Sequence, residues 1–360
     1  MSEQGGVLVT VVTVCFNLCA SGRVAAMEQC LRSVHRQEYQ EVEHLVIDGG
    51  SRDGTVEWLE QYAARGWIRF ISEPDSGIYN AMNKGIRLAR GKYVAFLNSD
   101  DYWHHRRAIA ASVAALEESG AAFSYAPRTI VREDGGFECV ESACLGVFPQ
   151  LMPFCHQTMF TRREVLLACG GFDEAHYRSA ADYDLVCRLL LGGESGAYVP
   201  LNFTSFRLGG YSVACDELSR QECHQIQRRL MGSRLARQLQ RGCLDEAGLS
   251  CLLDKVHPRV GLDLLRTYTE VSPGRYRLAH GLVRRRRSQV IACPGVGAAR
   301  QVFALRVLHY LPLLVCRLRP NRQDWYLLGI LPLLRLRWRG DRVRVGLFFL
   351  LPVAAYGRWR

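Results

Sequence analysis

The sequence predicts an α/β fold, a mainly parallel sheet with helices on both faces, followed by a basic amphipathic C-terminal extension. Three observations predict it. Short β-rich runs alternate with helix-period segments from residue 7 to about 127; each of the first four runs breaks off into a polar loop; and the composition changes abruptly near residue 281. The 360-residue chain has a formal net charge of +11, yet residues 281–360 alone hold 16 Arg, no Lys, and only Asp324 and Asp341 as acids, a net of +14. The rest of the chain is therefore slightly acidic, at −3, and the basicity belongs to the tail.

The elements follow in order. VLVTVVTVC (7–15) reads as a buried strand before a helical stretch from Arg23 to Arg36, and HLVID (44–48) precedes a helix with Val56, Leu59, Tyr62 and Ala63 on one face. IRFIS (68–72) leads to a helix aligning Ile78, Met82, Ile86 and Ala89; KYVAFL leads to another at 106–119. Strands alternating with helical segments make a parallel sheet covered on both sides. Beyond 127 the pattern is irregular, with turn material at EDGG (133–136), and residues 216–280 read as mostly helical, packed on the sheet or linking it to the tail. This divides the chain into 1–215, 216–280 and 281–360.

The tail repeats with a period of 20, Leu-Pro recurring at 311–312, 331–332 and 351–352. RLRWRGDRVRV (335–345) alternates strictly around Gly340, which suits a tight hairpin with Leu336, Trp338, Val343 and Val345 on one face and Arg335, Arg337, Arg339, Arg342 and Arg344 on the other. Such a hairpin predicts attachment to an anionic membrane surface, with Trp325, Tyr326, Phe348 and Phe349 entering the interface; an ordinary solvated basic face is the alternative. The longest uncharged apolar run in the tail, 345–357, has 13 residues, short of a bilayer span. No basic region precedes the first apolar run, so no secretory signal is evident and a peripheral place on the cytosolic face of the cytoplasmic membrane is expected. The 14 cysteines lie in apolar runs without a C-x-x-C pair and read as reduced, mostly buried residues.

Ligands of a parallel sheet bind beyond the carboxyl ends of its strands. There the chain places CFN, DGGSRDGT, SEPDSG and NSDD. Asp100 and Asp101, adjacent carboxylates after a buried strand, need compensation by a cation or hydrogen bonds. VTVCFN, DGGSRDGT, SEPDSGIYNAMNKGIRLARGKYVAFLNSDDYW, CHQTMF, GGFDE and ADYDLVCRL resemble, in order and spacing over residues 7–212, the family 2 glycosyltransferases with a GT-A fold, especially those of bacterial surface polysaccharides.

That resemblance implies a nucleotide-sugar donor of UDP or GDP type, a lipid-linked saccharide acceptor, inversion, and Mg²⁺ or Mn²⁺ held by hard oxygen ligands. It implies Asp101 as the metal contact and Asp100 as a contact to donor ribose or metal shell; Asn98 stands where the family commonly has another Asp, which leaves the ligand set open. It further implies Asp48 as the base-contacting carboxylate with Thr13 and Asn17 lining the pocket, Asp75, Asn83 and Lys84 reaching the donor, Asp182 as general base, and His156 touching acceptor or diphosphate. Simpler readings stand beside these: helix capping for Asp48 and Asp182, plain surface for Lys84, a structural histidine for His156. Asp184 is expected to cap the helix or to pair with Arg188 one helical turn on. Two other classes compete, a nucleotidyltransferase on a similar sheet and a nucleic-acid-binding protein using the Arg tail and RRRR (284–287). The first lacks a triphosphate loop near the first strand, and the second leaves the carboxylate loops unexplained, so no nucleic-acid partner is expected.

Overall fold

The computed structural model describes residues 8–210, 215–241 and 244–271, and the backbone of strands between 304 and 356. The chain divides into two compact units, Met1–Gly295 and Val296–Arg360. In the first, the strands are β1 (Val9–Cys15), β2 (Val42–Asp48), β3 (Arg69–Ser72), β4 (Tyr93–Phe96), β5 (Tyr102–Trp103), β6 (Phe123–Tyr125), β7 (Arg128–Val131), β8 (Phe137–Glu141), β9 (Phe160–Arg162), β10 (Gly196–Tyr198) and β11 (Thr204–Arg207). The helices of the alternating region are α1 (Val24–His35), α2 (Thr55–Ala64), α3 (Ile78–Leu88) and α4 (Ala108–Ser119), followed by α5 (Arg163–Ala168) and α6 (Ala181–Leu191).

A seven-stranded sheet runs β10-β6-β9-β4-β1-β2-β3. β1 pairs in parallel with both β2 and β4, and β2 with β3. All seven residues of β1 are buried, as expected for a strand covered on both faces. On one face Val12, Val14, Leu45 and Ile47 pack with Met82 and Ile86 of α3 and with Leu185 and Leu189 of α6. On the other, Val9 and Val11 pack with Cys30 and Val34 of α1 and with Ile109, Val113 and Leu116 of α4. The face of α3, with Ile78 and Ala89 joining Met82 and Ile86, is the one expected from periodicity.

β9 departs from the expected pattern. It lies between β4 and β6 and is antiparallel to both. Its amino-terminal end therefore sits at the edge where β4 ends, which brings the preceding 3-10 turn, His156–Thr158, to the ligand-binding side of the sheet. The irregular stretch also forms a second, four-stranded sheet, β5-β11-β7-β8, in which the EDGG turn joins β7 to β8 as a hairpin.

Residues 216–271 form the helices Asp216–Met231, Ser233–Gln240, Glu246–Lys255 and Pro258–Val271. Ile226, Leu235, Leu252 and Leu264 join the core cluster that contains α3 and α6, so this region packs on the sheet and is no free linker; residues 272–280 lie outside the described residues.

The second unit is a six-stranded antiparallel meander. Its 20-residue period appears as nine-residue strands Leu311–Arg319 and Leu331–Arg339, alternating with six-residue strands Arg322–Leu327 and Arg342–Leu347. Across the expected hairpin Arg339 pairs with Arg342, Trp338 with Val343 and Leu336 with Val345, leaving a two-residue connection at 340–341 that lies outside the described residues, as do 284–287, Phe348 and Phe349. Among the described residues eleven cysteines are free thiols, of which only Cys15, Cys30, Cys155 and Cys187 are buried.

Candidate active site

β1 and β2 end in register, Cys15 opposite Asp48, and β2 and β3 likewise, Asp48 opposite Ser72. Asp48 is fully buried and accepts hydrogen bonds from the backbone N–H of Gly50 (3.1 Å) and Ser51 (2.9 Å) and from the hydroxyls of Ser51 (2.5 Å) and Ser72 (2.6 Å). A carboxylate so occupied shapes its own loop. It does not cap α2, where Asp53 accepts from the Thr55 N–H instead. Thr13 is fully buried and hydrogen-bonded to His44 Nε2 at 2.9 Å. Asn17 does sit at the strand end, in a left-handed conformation (φ 48°), its N–H donating to Ser51 Oγ at 2.7 Å.

Beside it the exposed ring of Phe16 and the carboxylate of Asp75 flank Gly49. A Cβ on Gly49 would lie 2.8 Å from Asp75 Oδ2 and 3.1 Å from the Phe16 ring, so only glycine leaves this opening. Lys84 is held at this loop by Pro74 O (2.7 Å) and Glu73 (3.0 Å). Asn83 is buried, with its amide donating to Phe172 O and Glu174 and accepting from the Phe172 N–H. It staples the GGFDE loop to α3; the expected reach toward a donor would require giving up these bonds.

The acid pair after β4 is resolved asymmetrically. Asp100 keeps a half-buried carboxylate 3.3 Å from the Arg23 guanidinium. Asp101 is almost wholly buried, accepting from the Arg207 N–H at 2.6 Å and from the side-chain amide of Gln157. Burial, with the neighbouring Asp100 charge second, pushes the Asp101 carboxyl up to about 8. A cation beside the pair would relieve the repulsion that Asp100 adds, and each carboxylate oxygen keeps a lone pair for it. Asn98 Oδ1 is buried without a partner, a further oxygen of the hard type that Mg²⁺ or Mn²⁺ takes. Asn98, Asp100 and Asp101 thus fit a divalent ion, although no preformed cluster of three His, Cys, Asp or Glu ligands exists among the described residues.

Asp182 lies in the first turn of α6, its side chain one-fifth exposed. It accepts from Tyr79 Oη (3.2 Å) and the Tyr183 N–H (2.9 Å), and pairs with His156 Nδ1 at 3.0 Å. Burial pushes its pKa up, but the hydrogen bond and charge of His156, then Tyr183 N–H and Tyr79, outweigh it and leave the carboxyl below its ordinary value. His156 Nε2 is buried without a hydrogen-bond partner, and the ring lines the same cavity as Asp182, so a contact to acceptor or diphosphate stays open beside its backing of Asp182. Asp184 points elsewhere, fully buried between Arg188 (2.7 Å) and Arg229 (2.5 Å). The turn His156–Gln157 is what brings the two acidic sites together, His156 on Asp182 and Gln157 on Asp101.

Residues 10–170 match the Glycosyl transferase family 2 model. An uncharacterized glycosyltransferase of Mycobacterium tuberculosis is 31% identical over 196 residues, 51% of this chain and 69% of its own length. The chain is a family 2 glycosyltransferase.

A PGL/p-HBAD biosynthesis glycosyltransferase of Mycobacterium bovis is 30% identical over 171 residues, 46% of this chain and 64% of that relative. Among solved structures, S. aureus TarS 1–349 with UDP-GlcNAc superposes at a TM-score of 0.52 and 16% identity, covering 72% of this glycosyltransferase and 84% of TarS 1–349. The mannosyltransferase PcManGT of Pyrobaculum calidifontis, with GDP-Man and Mn²⁺, superposes at 0.50 and 16%, covering 81% and 82%. At such identities these neighbours carry the GT-A fold alone.

Several residues of this glycosyltransferase's site escape sequence reading. Tyr79 and Gln157 lie inside motifs already singled out, but only their partners reveal them. Arg23 and Arg207 come from outside those motifs' acidic cores. Glu222, from the helix Asp216–Met231, accepts from the N–H groups of Arg178, Ser179 and Ala180, each at 2.8 Å, just before Asp182.

Proposed function

We propose that this glycosyltransferase moves a sugar, with inversion, from a UDP- or GDP-type donor to a hydroxyl of a lipid-linked saccharide during surface polysaccharide assembly. The observation that carries the reading is the pairing of two unlike carboxylate sites across one turn: Asp182, ionised and partly open, and the Asp100–Asp101 pair, which favours a cation. An acceptor hydroxyl is a weak nucleophile until its proton is taken. In this reading Asp182 takes that proton as the acceptor oxygen bonds to the anomeric carbon, while the bond to the diphosphate breaks and its electron pair leaves with the nucleoside diphosphate. Mg²⁺ or Mn²⁺, when bound, supplies positive charge to the departing diphosphate. Asn98, Asp100 and Asp101 would hold it.

On the donor side, Phe16, Gly49 and Asp75 offer a ring, an open floor and an acceptor for a base, and Asn17 and Lys84 border them. The donors bound by TarS and PcManGT, and the Mn²⁺ of the latter, support this choice of ligands. The biosynthetic role of the mycobacterial relative supports a surface glycan product. The Arg-rich repeats support a peripheral position on an anionic, cytosolic membrane face, where a lipid-linked acceptor is presented.

The test is nucleoside diphosphate release together with thermal shifts by UDP-GlcNAc and GDP-mannose, each with and without Mn²⁺. Asp182→Asn should abolish turnover and keep the donor shift, and Asp101→Asn should remove its Mn²⁺-dependent part. Wild-type turnover by Asp182→Asn, or pyrophosphate as the product, overturns the reading.

A further inference from the structure

We propose that His156 and Gln157 are positioning residues, one 3-10 turn that fixes the proton-accepting carboxylate of Asp182 relative to the cation-side carboxylate of Asp101. The inference rests on the reading of Asp182 as the base. The turn is built to be rigid. Gln157 and Thr158 are fully buried; Thr158 Oγ donates to Cys155 O (2.8 Å) and accepts from the Ala126 N–H (3.2 Å), and Trp103 Nε1 donates to Gln157 O (3.3 Å). β9 then locks the following residues between β4 and β6. Adjacent side chains of so fixed a segment transmit little slack.

The order from solvent inward assigns the roles. Asp182 is slightly the more exposed partner, and His156 bonds it through Nδ1. His156 therefore acts through Asp182. Among the described residues, the titratable groups facing Asp182 are His156 from the turn, Tyr79 from α3 and Cys223 from the helix Asp216–Met231, whose thiol is raised by burial first and by Asp182 second. Against the upward push of burial, His156 is the group that does most to hold the Asp182 carboxyl below its ordinary value. Gln157 does the corresponding work at Asp101 with a neutral donor, which orients the carboxylate without competing for its charge.

Steady-state kinetics across pH and Mn²⁺ binding followed by electron paramagnetic resonance, both on the full chain, separate the two arms. His156→Ala should lower kcat about 10- to 100-fold with KM for the nucleotide sugar unchanged, and move the acid limb of the kcat profile upward by about one pH unit. His156→Asn, which restores a donor without the charge, should recover most of kcat and leave the limb displaced. Gln157→Ala should weaken Mn²⁺ binding about tenfold, with the acid limb where the wild type has it. Melting curves identify any variant that fails to fold, and His156→Asn keeps the test alive if His156→Ala does. An unmoved acid limb in both His156 variants, or unchanged Mn²⁺ binding in Gln157→Ala, overturns the positioning role. Full turnover by Asp182→Asn instead overturns the base on which it rests.

Discussion

At the scale of single residues, burial separates roles that sequence alone leaves merged. Thr13 and His44 illustrate it. Neighbouring strands place them face to face, and burial depresses the His44 pKa to about 3, so the ring is neutral in the fold. In the unfolded chain an imidazole titrates near 6.5. Between these values the unfolded state binds the extra proton, so stability is full above about 6.5 and declines as pH falls toward 3, by up to roughly 5 kcal/mol. Urea unfolding at pH 7 and pH 4.5 checks this: His44→Gln should flatten the decline, and an equal decline in both proteins would refute it. Asp48 teaches the same lesson. Its place at a strand tip was legible, but its cage of four donors was not, because Ser72 comes from another strand and no spacing announces it.

At the scale of elements, what was legible is what is local. β1 to β4 and α1 to α4 carry their own periodicity over seven to twelve residues, or end in turn residues, and they form where expected. β9 is only three residues long, and its direction is dictated by partners far away in sequence, so no local pattern could reveal an antiparallel strand inside a parallel sheet. The helix Asp216–Met231 is polar enough to read as packing material, yet its buried Glu222 holds the three N–H groups that lead into α6. Glu222→Gln turns one accepting oxygen into a donor facing donors, and should cost roughly 3 kcal/mol. Chemical denaturation measures it, and a loss below 1 kcal/mol would show that the loop finds other acceptors. Because this loop precedes Asp182 directly, kcat should fall while donor-induced thermal shifts persist.

At the scale of the whole molecule, the charge asymmetry read from composition meets a regular architecture in the second unit. A 20-residue repeat that alternates nine- and six-residue strands delivers arginines at fixed intervals along an antiparallel meander. No helix among the described residues is long and apolar enough to cross a membrane, so attachment in this reading is electrostatic and interfacial. Each arginine near an anionic surface contributes about 1 kcal/mol, and the attraction falls away over a Debye length of about 8 Å at physiological salt. Replacing Arg335, Arg337, Arg339, Arg342 and Arg344 together by Gln should therefore weaken binding to phosphatidylglycerol vesicles by more than a hundredfold at 0.15 M salt. Sedimentation with vesicles reads this directly: wild-type binding should also collapse at 1 M salt, and neutral phosphatidylcholine vesicles should capture little of either protein. Turnover on a short water-soluble acceptor should be unaffected by the same substitutions, because the acceptor no longer has to be found on a surface. Undiminished vesicle binding by the five-Gln variant would assign the arginines to another partner.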